Sequence, residues 1–352
     1  MIYNLQILRA IAALSVVIYH IDYRFVAGVH TDFLGVATFF VISGFIMCFI
    51  TRDVADGFLI SRFVRIVPLY WLCTFARLVV LHKQELLVPS FWADQTPSII
   101  RSLFFVPSEG PPLVVVGWTL NFEIYFYVIF AAALWLNRRY APLIAGTVIL
   151  IVMTIDYCAP GIFLTHYYSH SYIRFFLAGI ALFYLWRFTS GRLPRLPTAI
   201  VCAAVLIFSY AIQIDMPAPG RWTYTLPVMI VGSMLLMAGA GAEIKWRPFV
   251  LLGEASYALY LIHTLVMGYI LRVAPNILDL GKSHALWFAG LLLLYTAVGL
   301  TVHLAIEKPM LRFVRDRMAP YGSRGGRVIA PASVQLNEQG PGATAPGACR
   351  IT

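Results

Sequence analysis

The stretch Leu8-Arg9-Ala10-Ile11-Ala12-Ala13-Leu14-Ser15-Val16-Val17-Ile18-Tyr19-His20 decides the architecture. Extended to residues 5–22, it supplies the ~20 mostly apolar residues that cross a hydrocarbon core as a helix. Arg9 and His20 stand eleven positions apart. At 3.6 residues per turn that is close to three turns, so both side chains leave one face, about 16 Å apart along the axis. An ionisable group at bilayer depth costs at least ~2.5–3.5 kcal/mol, so such groups turn toward a bundle interior or an aqueous cavity. Ala12 and Ala13 beside the stripe permit close helix packing. With no basic segment ahead of it and no clean A-x-A site after it, the run reads as a retained helix rather than a signal peptide.

Nine further apolar runs follow, at about 33–50, 66–82, 114–136, 141–157, 172–188, 197–214, 224–240, 250–271 and 285–306. Composition agrees: 60% of the 352 residues are hydrophobic and 12% charged, with a mean hydropathy of +0.80. Soluble domains run near 45–50% apolar and about 25% charged. A soluble enzyme, a disordered chain and a fibrous repeat are therefore excluded. The fold class is an all-α polytopic membrane protein of about ten transmembrane helices. No repeat relates its two halves.

The net charge of +10 would suggest nucleic acid in a soluble protein. Here it reads as topology. With the N-terminus inside, 17 Lys and Arg fall in inner segments: Arg52, Arg62 and Arg65; Arg138 and Arg139; Arg187, Arg192 and Arg195; Lys245 and Arg247; and seven from Lys308 to Arg350. Six fall in outer loops: Arg24, Lys83, Arg101, Arg221, Arg272 and Lys282. This bias places both termini in the cytoplasm. Residues 1–310 form one integral-membrane domain, and 311–352 a basic cytoplasmic tail, with disorder expected from about Tyr321. The outer loop 83–113, with Pro89, Pro97, Pro107, Pro111 and Pro112, is the longest connection and a candidate site cover. Cys48, Cys73, Cys158, Cys202 and Cys349 are scattered and odd in number, which supports neither a disulfide framework nor a zinc site.

The remaining ionisable groups at membrane depth are Arg9, His20, Arg77, Glu123, Arg174 and His263. Snorkelling from a helix end accounts for Arg77 and Arg174. A cation with an imidazole ~16 Å above it suits a long ligand with a phosphate end and a reactive end, the shape of coenzyme A. Arg62 and Arg65, at i and i+3, fit either a phosphate grip or an anchor to lipid headgroups. The run Gly35 to Phe45, with Gly44 and Ser43, fits tight helix packing or a channel for a thin ligand arm. Thr119, Glu123 and Tyr127 share a helix face. Glu123 there fits a partner for His20, a sugar contact or a staple to a neighbouring helix. Ser256, Tyr260 and His263 share another face, and His263 fits a ligand contact or a buried structural histidine. Glu307-Lys308-Pro309 reads as a helix stop with an ion pair.

These pieces together resemble acyltransferase family 3, the integral-membrane O-acyltransferases of bacterial glycans. The matching runs are Arg9 to His20, Phe39-Phe40 to Gly44, Arg62 to Arg65, Trp118-Thr119-Leu120 to Glu123, and Ser256-Tyr257 to His263, in order across the chain. The opening Ile7-Leu8-Arg9-Ala10-Ile11-Ala12-Ala13-Leu14 is similar to the exopolysaccharide-acetylating, ExoZ-like branch.

The resemblance implies a bacterial inner-membrane enzyme that moves an acyl group, usually acetyl, from cytoplasmic acyl-CoA to a hydroxyl of a lipid-linked or exported saccharide. No metal is implied. Arg9, Arg62 and Arg65 would hold the coenzyme A phosphates, and Phe39, Phe40 and Gly44 would flank the thioester arm. His20 would act as general base or transient acyl carrier, with Glu123 orienting it or the sugar. Trp118, Tyr127, Tyr260 and His263 would line the cavity. Some members carry an extracytoplasmic hydrolase-like domain. About 45 residues follow the last span here, too few for one, so His20 alone or a partner of a polysaccharide assembly complex would complete transfer. A transporter or flippase of lipid-linked saccharides is the alternative. It would favour inverted repeats and broken helices at matching positions. A catalytically silent export scaffold is a third possibility, against which the polar stripe argues.

Overall fold

The computed structural model describes residues 3–21, 34–51, 57–82, 85–188, 245–273 and 284–322. All regular structure among the described residues is helical: α1 (Tyr3–Ile21), α2 (Leu34–Thr51), α3 (Phe58–His82), α4 (Pro89–Leu103), α5 (Trp118–Leu136), α6 (Ala141–Cys158), α7 (Phe163–Tyr168), α8 (Arg174–Phe188), α9 (Arg247–Glu254), α10 (Ser256–Val273), α11 (His284–Val302) and α12 (Lys308–Gly322). Six stretches are long and apolar enough to cross a membrane: Tyr3–Ile21, Phe58–Val80, Val115–Leu136, Ala141–Cys158, Ser256–Val273 and Leu286–Val314. Gly35–Thr51 is a shorter apolar helix. The expected spans at 197–214 and 224–240, and the tail beyond Gly322, lie outside the described residues.

Helix α1 packs against α2, α9, α10 and α11. Its buried face carries Ala10, Ala13, Val17 and Ile21, all fully buried. Small residues set these distances: a Cβ on Gly35 would meet the Ala12 carbonyl oxygen at 2.2 Å. Along the α2–α8 seam, a Cβ on Gly44 would come within 2.4 Å of the Phe176 carbonyl oxygen. Backbones that close are the signature of helix association through small residues in membranes. Around the seam Phe40, Phe45, Phe126 and Phe176 interlock as the core. The outward surface is also apolar: Leu293, Val79, Leu150 and Phe75 are half to two-thirds exposed. Exposed apolar side chains in this number would be an association hazard in water and are at home in lipid.

Four expected boundaries are revised. The third span begins at Phe58, not residue 66, so Arg62 and Arg65 sit inside α3. The loop 83–113 contains α4, whose first residue is Pro89, a residue pre-set for the opening turn of a helix. The ninth span is broken at Ala255 into α9 and α10. There Gly253 lies so close to α1 that a Cβ would meet the Gln6 carbonyl oxygen at 2.0 Å. Glu307-Lys308-Pro309 does not stop the tenth helix. The chain passes through a π-turn at His303–Glu307 into α12. Pro309 removes a backbone donor, and the wider turn re-spaces the ladder around it.

Candidate active site

Three cations and one carboxyl meet in a cavity between α1, α2, α3, α5 and α10. Its wall includes Arg9, Arg62, Arg65 and Glu123, with Phe39, Phe40 and Ser43 from α2. Tyr127 and Thr119 add to the α5 side, and Ser256, Tyr257 and Tyr260 to the α10 side.

Each element delivers its group for a local reason. The Arg9 Nη2 donates to Ser256 Oγ at 2.9 Å, and Ser256 is the first residue after the break at Ala255. The break thus positions a hydroxyl to receive the α1 guanidinium. On α3, the three-residue spacing of Arg62 and Arg65 sets both on one face. Arg62 is buried and its Nε donates to Ser61 Oγ at 3.4 Å. Tyr257 Oη donates to the Ile66 carbonyl at 2.7 Å, which ties α10 to α3. On α5, Tyr127 Oη donates to Glu123 Oε1 one turn earlier. Thr119 Oγ1 and Tyr260 Oη are 2.8 Å apart, joining α5 to α10.

Arg9 lies within electrostatic reach of Arg65, Glu307, Glu123 and Tyr127. Arg62 is similarly placed toward Tyr127, Arg65 and Glu123. A guanidinium carries five N–H donors, and the hydrogen bonds here use few of them. Buried cations need compensation, and the lining offers one carboxylate for three. An anionic, phosphate-bearing group fits this imbalance.

His20 and His263 do not line that cavity. They meet beside it, with ring centroids 4.9 Å apart and planes at 61°. Tyr260 connects the two places. It lines the cavity and lies 6.2 Å from His263 ring to ring. The expected pairing of Glu123 with His20 is replaced by two local arrangements, because Glu123 takes the Tyr127 hydroxyl and faces the arginines. Gly44 is turned to α8 and not to the cavity. Trp118 points away from the cavity lining into an aromatic cluster. Its ring lies 5.9 Å from Phe122, 5.4 Å from Tyr172 and 6.0 Å from His170. A second, polar cleft lies beside this cluster, between Arg101, Ser108, Glu109, Asn121 and Phe163.

Sequence reasoning missed Tyr257, which sits in the cavity wall, and His303. The His303 Nδ1 lies 2.7 Å from Glu307 Oε2 inside the π-turn. A histidine four positions before a glutamate at the end of an apolar run was the available signal. The aromatic wall at Tyr167, Tyr168, His170 and Tyr172 was also missed, although the density of rings in that short stretch marked it. Among the described residues, no group of three or more His, Cys, Asp or Glu is arranged to hold a metal.

A family model described as an acyltransferase domain matches residues 2–307. The chain is 32% identical over 305 residues to the exopolysaccharide production protein ExoZ of Rhizobium meliloti (strain 1021), covering 83% of this chain and 93% of that protein. It is 26% identical to the acyltransferase MdmB of Streptomyces mycarofaciens, over 88% of this chain and 92% of the other. A Bacillus subtilis protein provisionally named a peptidoglycan O-acetyltransferase, YrhL, is 28% identical, over 73% of this chain and 47% of the other. No solved structure matches. The family match over residues 2–307, together with the 32% identity to ExoZ over 83% of the chain, means that this chain belongs to acyltransferase family 3, in its ExoZ-like branch.

Proposed function

We propose that the protein transfers an acyl group, acetyl foremost, from acyl-CoA to a hydroxyl of an exported or lipid-linked saccharide. The observation that carries this reading is the cavity in which Arg9, Arg62 and Arg65 converge on a single carboxyl, one helix face and ~16 Å below His20. The names of the relatives, an exopolysaccharide production protein and a peptidoglycan O-acetyltransferase, support the acceptor class.

In this reading the three guanidiniums bind the donor's phosphates, and Glu123 with Tyr127 holds the cationic cluster open. Phe39 and Phe40 flank the thioester arm. Trp118 and Tyr260 shape the acceptor side. His20 works at the far end. Its Nδ1 lies 2.8 Å from the Val16 carbonyl, and a carbonyl only accepts, so Nδ1 carries the proton and Nε2 carries the lone pair. That nitrogen takes the sugar hydroxyl proton as the oxygen attacks the thioester carbon. The same nitrogen is also the atom that would carry an acyl group in a two-step transfer.

The reading extends to ten membrane helices with both termini in the cytoplasm, an integral-membrane domain over 1–310, a cytoplasmic tail over 311–352 and residence in the bacterial inner membrane. The basic bias of the loops supports the orientation. The imidazole of His20 near the cationic cavity favours the transferase over a saccharide flippase, because a flippase makes and breaks no covalent bond and has no need of a base.

The test is transfer of label from radiolabelled acetyl-CoA into polymer by membranes containing the protein. His20→Ala is expected to lower transfer by about 10²-fold or more, the scale of a general base. Full activity in that variant sinks the assignment of His20.

A further inference from the structure

The loop 83–113, expected to cover a site, builds a cleft of its own. It lies between α4, the segment after it and the first turns of α5, and encloses about 540 Å³, within the ~300–1,000 Å³ of small-molecule sites. Its wall presents Arg101, Ser108, Glu109 and Asn121, with Phe163 from α7. The cleft is prebuilt. At the end of α4, Phe105 N donates to the Ser102 carbonyl at 3.3 Å and Val106 N to the Arg101 carbonyl at 2.9 Å, a helix-ending motif that glycine usually closes. Here Phe105 takes the left-handed φ of 56°, and its ring is seated on Tyr70 of α3, 5.0 Å between centroids. The chain is folded back, and Leu113 N donates to Ser102 Oγ at 2.8 Å. Trp71 Nε1 ties the same corner to α3 by donating to the Leu103 carbonyl at 2.9 Å.

The lining selects a ligand. One guanidinium, one carboxylate, an amide and a hydroxyl sum to no net charge and offer donors and acceptors together. An inorganic ion meets no excess of opposite charge there. A sugar fits: each hydroxyl both donates and accepts, and its C–H face can rest on a ring such as Phe163. The Asn121 amide is held in place for this by donating from Nδ2 to Tyr167 Oη at 3.0 Å. Its position identifies which sugar. Asn121 stands two residues past Thr119, so the two point to opposite sides of α5. Thr119 Oγ1 meets Tyr260 Oη at 2.8 Å, in the wall of the arginine cavity. Cleft and cavity therefore flank the start of α5. Along α10, Tyr260 lies between Ser256, which receives Arg9, and His263, whose ring meets His20. The start of α5 is thus displaced from Arg9 toward His20.

We propose that the cleft is an acceptor subsite for a sugar unit neighbouring the one that is acylated, so that the acceptor is an oligosaccharide chain laid across the start of α5, ~10–12 Å wide. The proposal rests on the transferase reading above. Part of the acceptor's binding energy then comes from units that do not react.

The experiment titrates fluorescently labelled exported polymer, taken from the cells that make the protein and deacetylated with mild base, into the solubilised full chain without acetyl-CoA. Arg101→Ala with Glu109→Ala removes two exposed side chains, outside the packed helix seams. Ser108→Trp fills the cleft without changing charge. Wild type is expected to bind the polymer, its monosaccharide hydrolysate at equal mass to compete at least tenfold less well, and each variant to bind at least tenfold more weakly. Affinity within twofold of wild type in either variant overturns the proposal. So does a monosaccharide mixture that competes as well as the polymer, and so does a wild-type chain that binds no polymer. Transfer of label from acetyl-CoA into saccharide is followed in parallel in membranes. Transfer that persists in wild type while the binding result fails leaves the transferase reading standing without the subsite. Polymer binding through the cleft with no transfer sinks the transferase reading instead.

Discussion

The two sides of α5 satisfy their polar groups in opposite ways. One side carries Thr119, Glu123 and Tyr127 toward the arginine cavity. The other carries Trp118, Asn121 and Phe122 toward the rings of Tyr167, Tyr168, His170 and Tyr172. On the aromatic side the rings pack on one another, and the Tyr125 hydroxyl is buried without a hydrogen-bond partner among the described residues. Phe122 stacks on Tyr167 at 5.2 Å, Tyr125 on Tyr168 at 4.0 Å and His170 on Tyr172 at 5.3 Å. Asn121 Nδ2 donates to Tyr167 Oη at 3.0 Å. The arginine side holds more charge than its own carboxyl matches. Packed rings gain what they have to gain when the protein folds. Buried cations keep an unmet demand that an anion fills on binding. In the proposed reading the aromatic region is therefore a wall, and the arginine region a receptor for the donor's phosphates.

The contrast can be broken experimentally. The largest effect is expected from removing the receptor: Arg62→Ala with Arg65→Ala should lower kcat/KM for acetyl-CoA by about 10²–10⁴-fold, two charge-assisted contacts at roughly 1.5–3 kcal/mol each. An unchanged kcat/KM would show that the pair anchors lipid headgroups instead. A smaller effect is expected from the wall. Trp118→Ala should cut the maximal rate about tenfold and leave KM for acetyl-CoA within twofold, because one ring lost from a packed aromatic group misplaces the acceptor rather than the donor. A large rise in donor KM would erase the distinction between the two sides.

The smallest effect is on pH. Burial among the rings, with the nearby His166, holds the His170 imidazole below its ordinary value. The folded protein therefore resists a proton that the unfolded chain takes up near pH 6.5. More protons are bound unfolded than folded in that window, so stability falls as pH drops below about 6.5 and levels off below the depressed folded value. Melting temperature of the solubilised protein between pH 7.5 and 5 should decline slightly less in His170→Gln than in wild type. Superimposable declines would remove His170 from the account.

Much of the receptor was legible because its parts are local. Arg9 and His20 share a face by helical period alone, and so do Arg62 with Arg65 and Glu123 with Tyr127. What was not legible depended on which helices meet. Glu123 and His20 look like natural partners in sequence, yet α10 brings His263 to His20 and Tyr127 satisfies Glu123. The break at Ala255 has no strong breaker beside it except Gly253. Beside it α1 comes so close that Gly253 has no room for a side chain, and Arg9 reaches Ser256 just past the break. The π-turn before Pro309 was read as a stop because proline usually ends a helix. In this fold it re-spaces the ladder and buries the His303–Glu307 pair.

By itself, the sequence determined that the chain is a bundle of apolar helices with a few ionisable groups too costly to face lipid, and which of those groups share a helix face. Apolar length and helical period are properties of one segment, so no partner is needed to read them. Only the tertiary structure decided that three arginines line one cavity and that two histidine rings meet beside it. Helix α1 is brought against its neighbours where backbones close up at Gly35 and Gly253, and close approach between helices is a property of two segments at once.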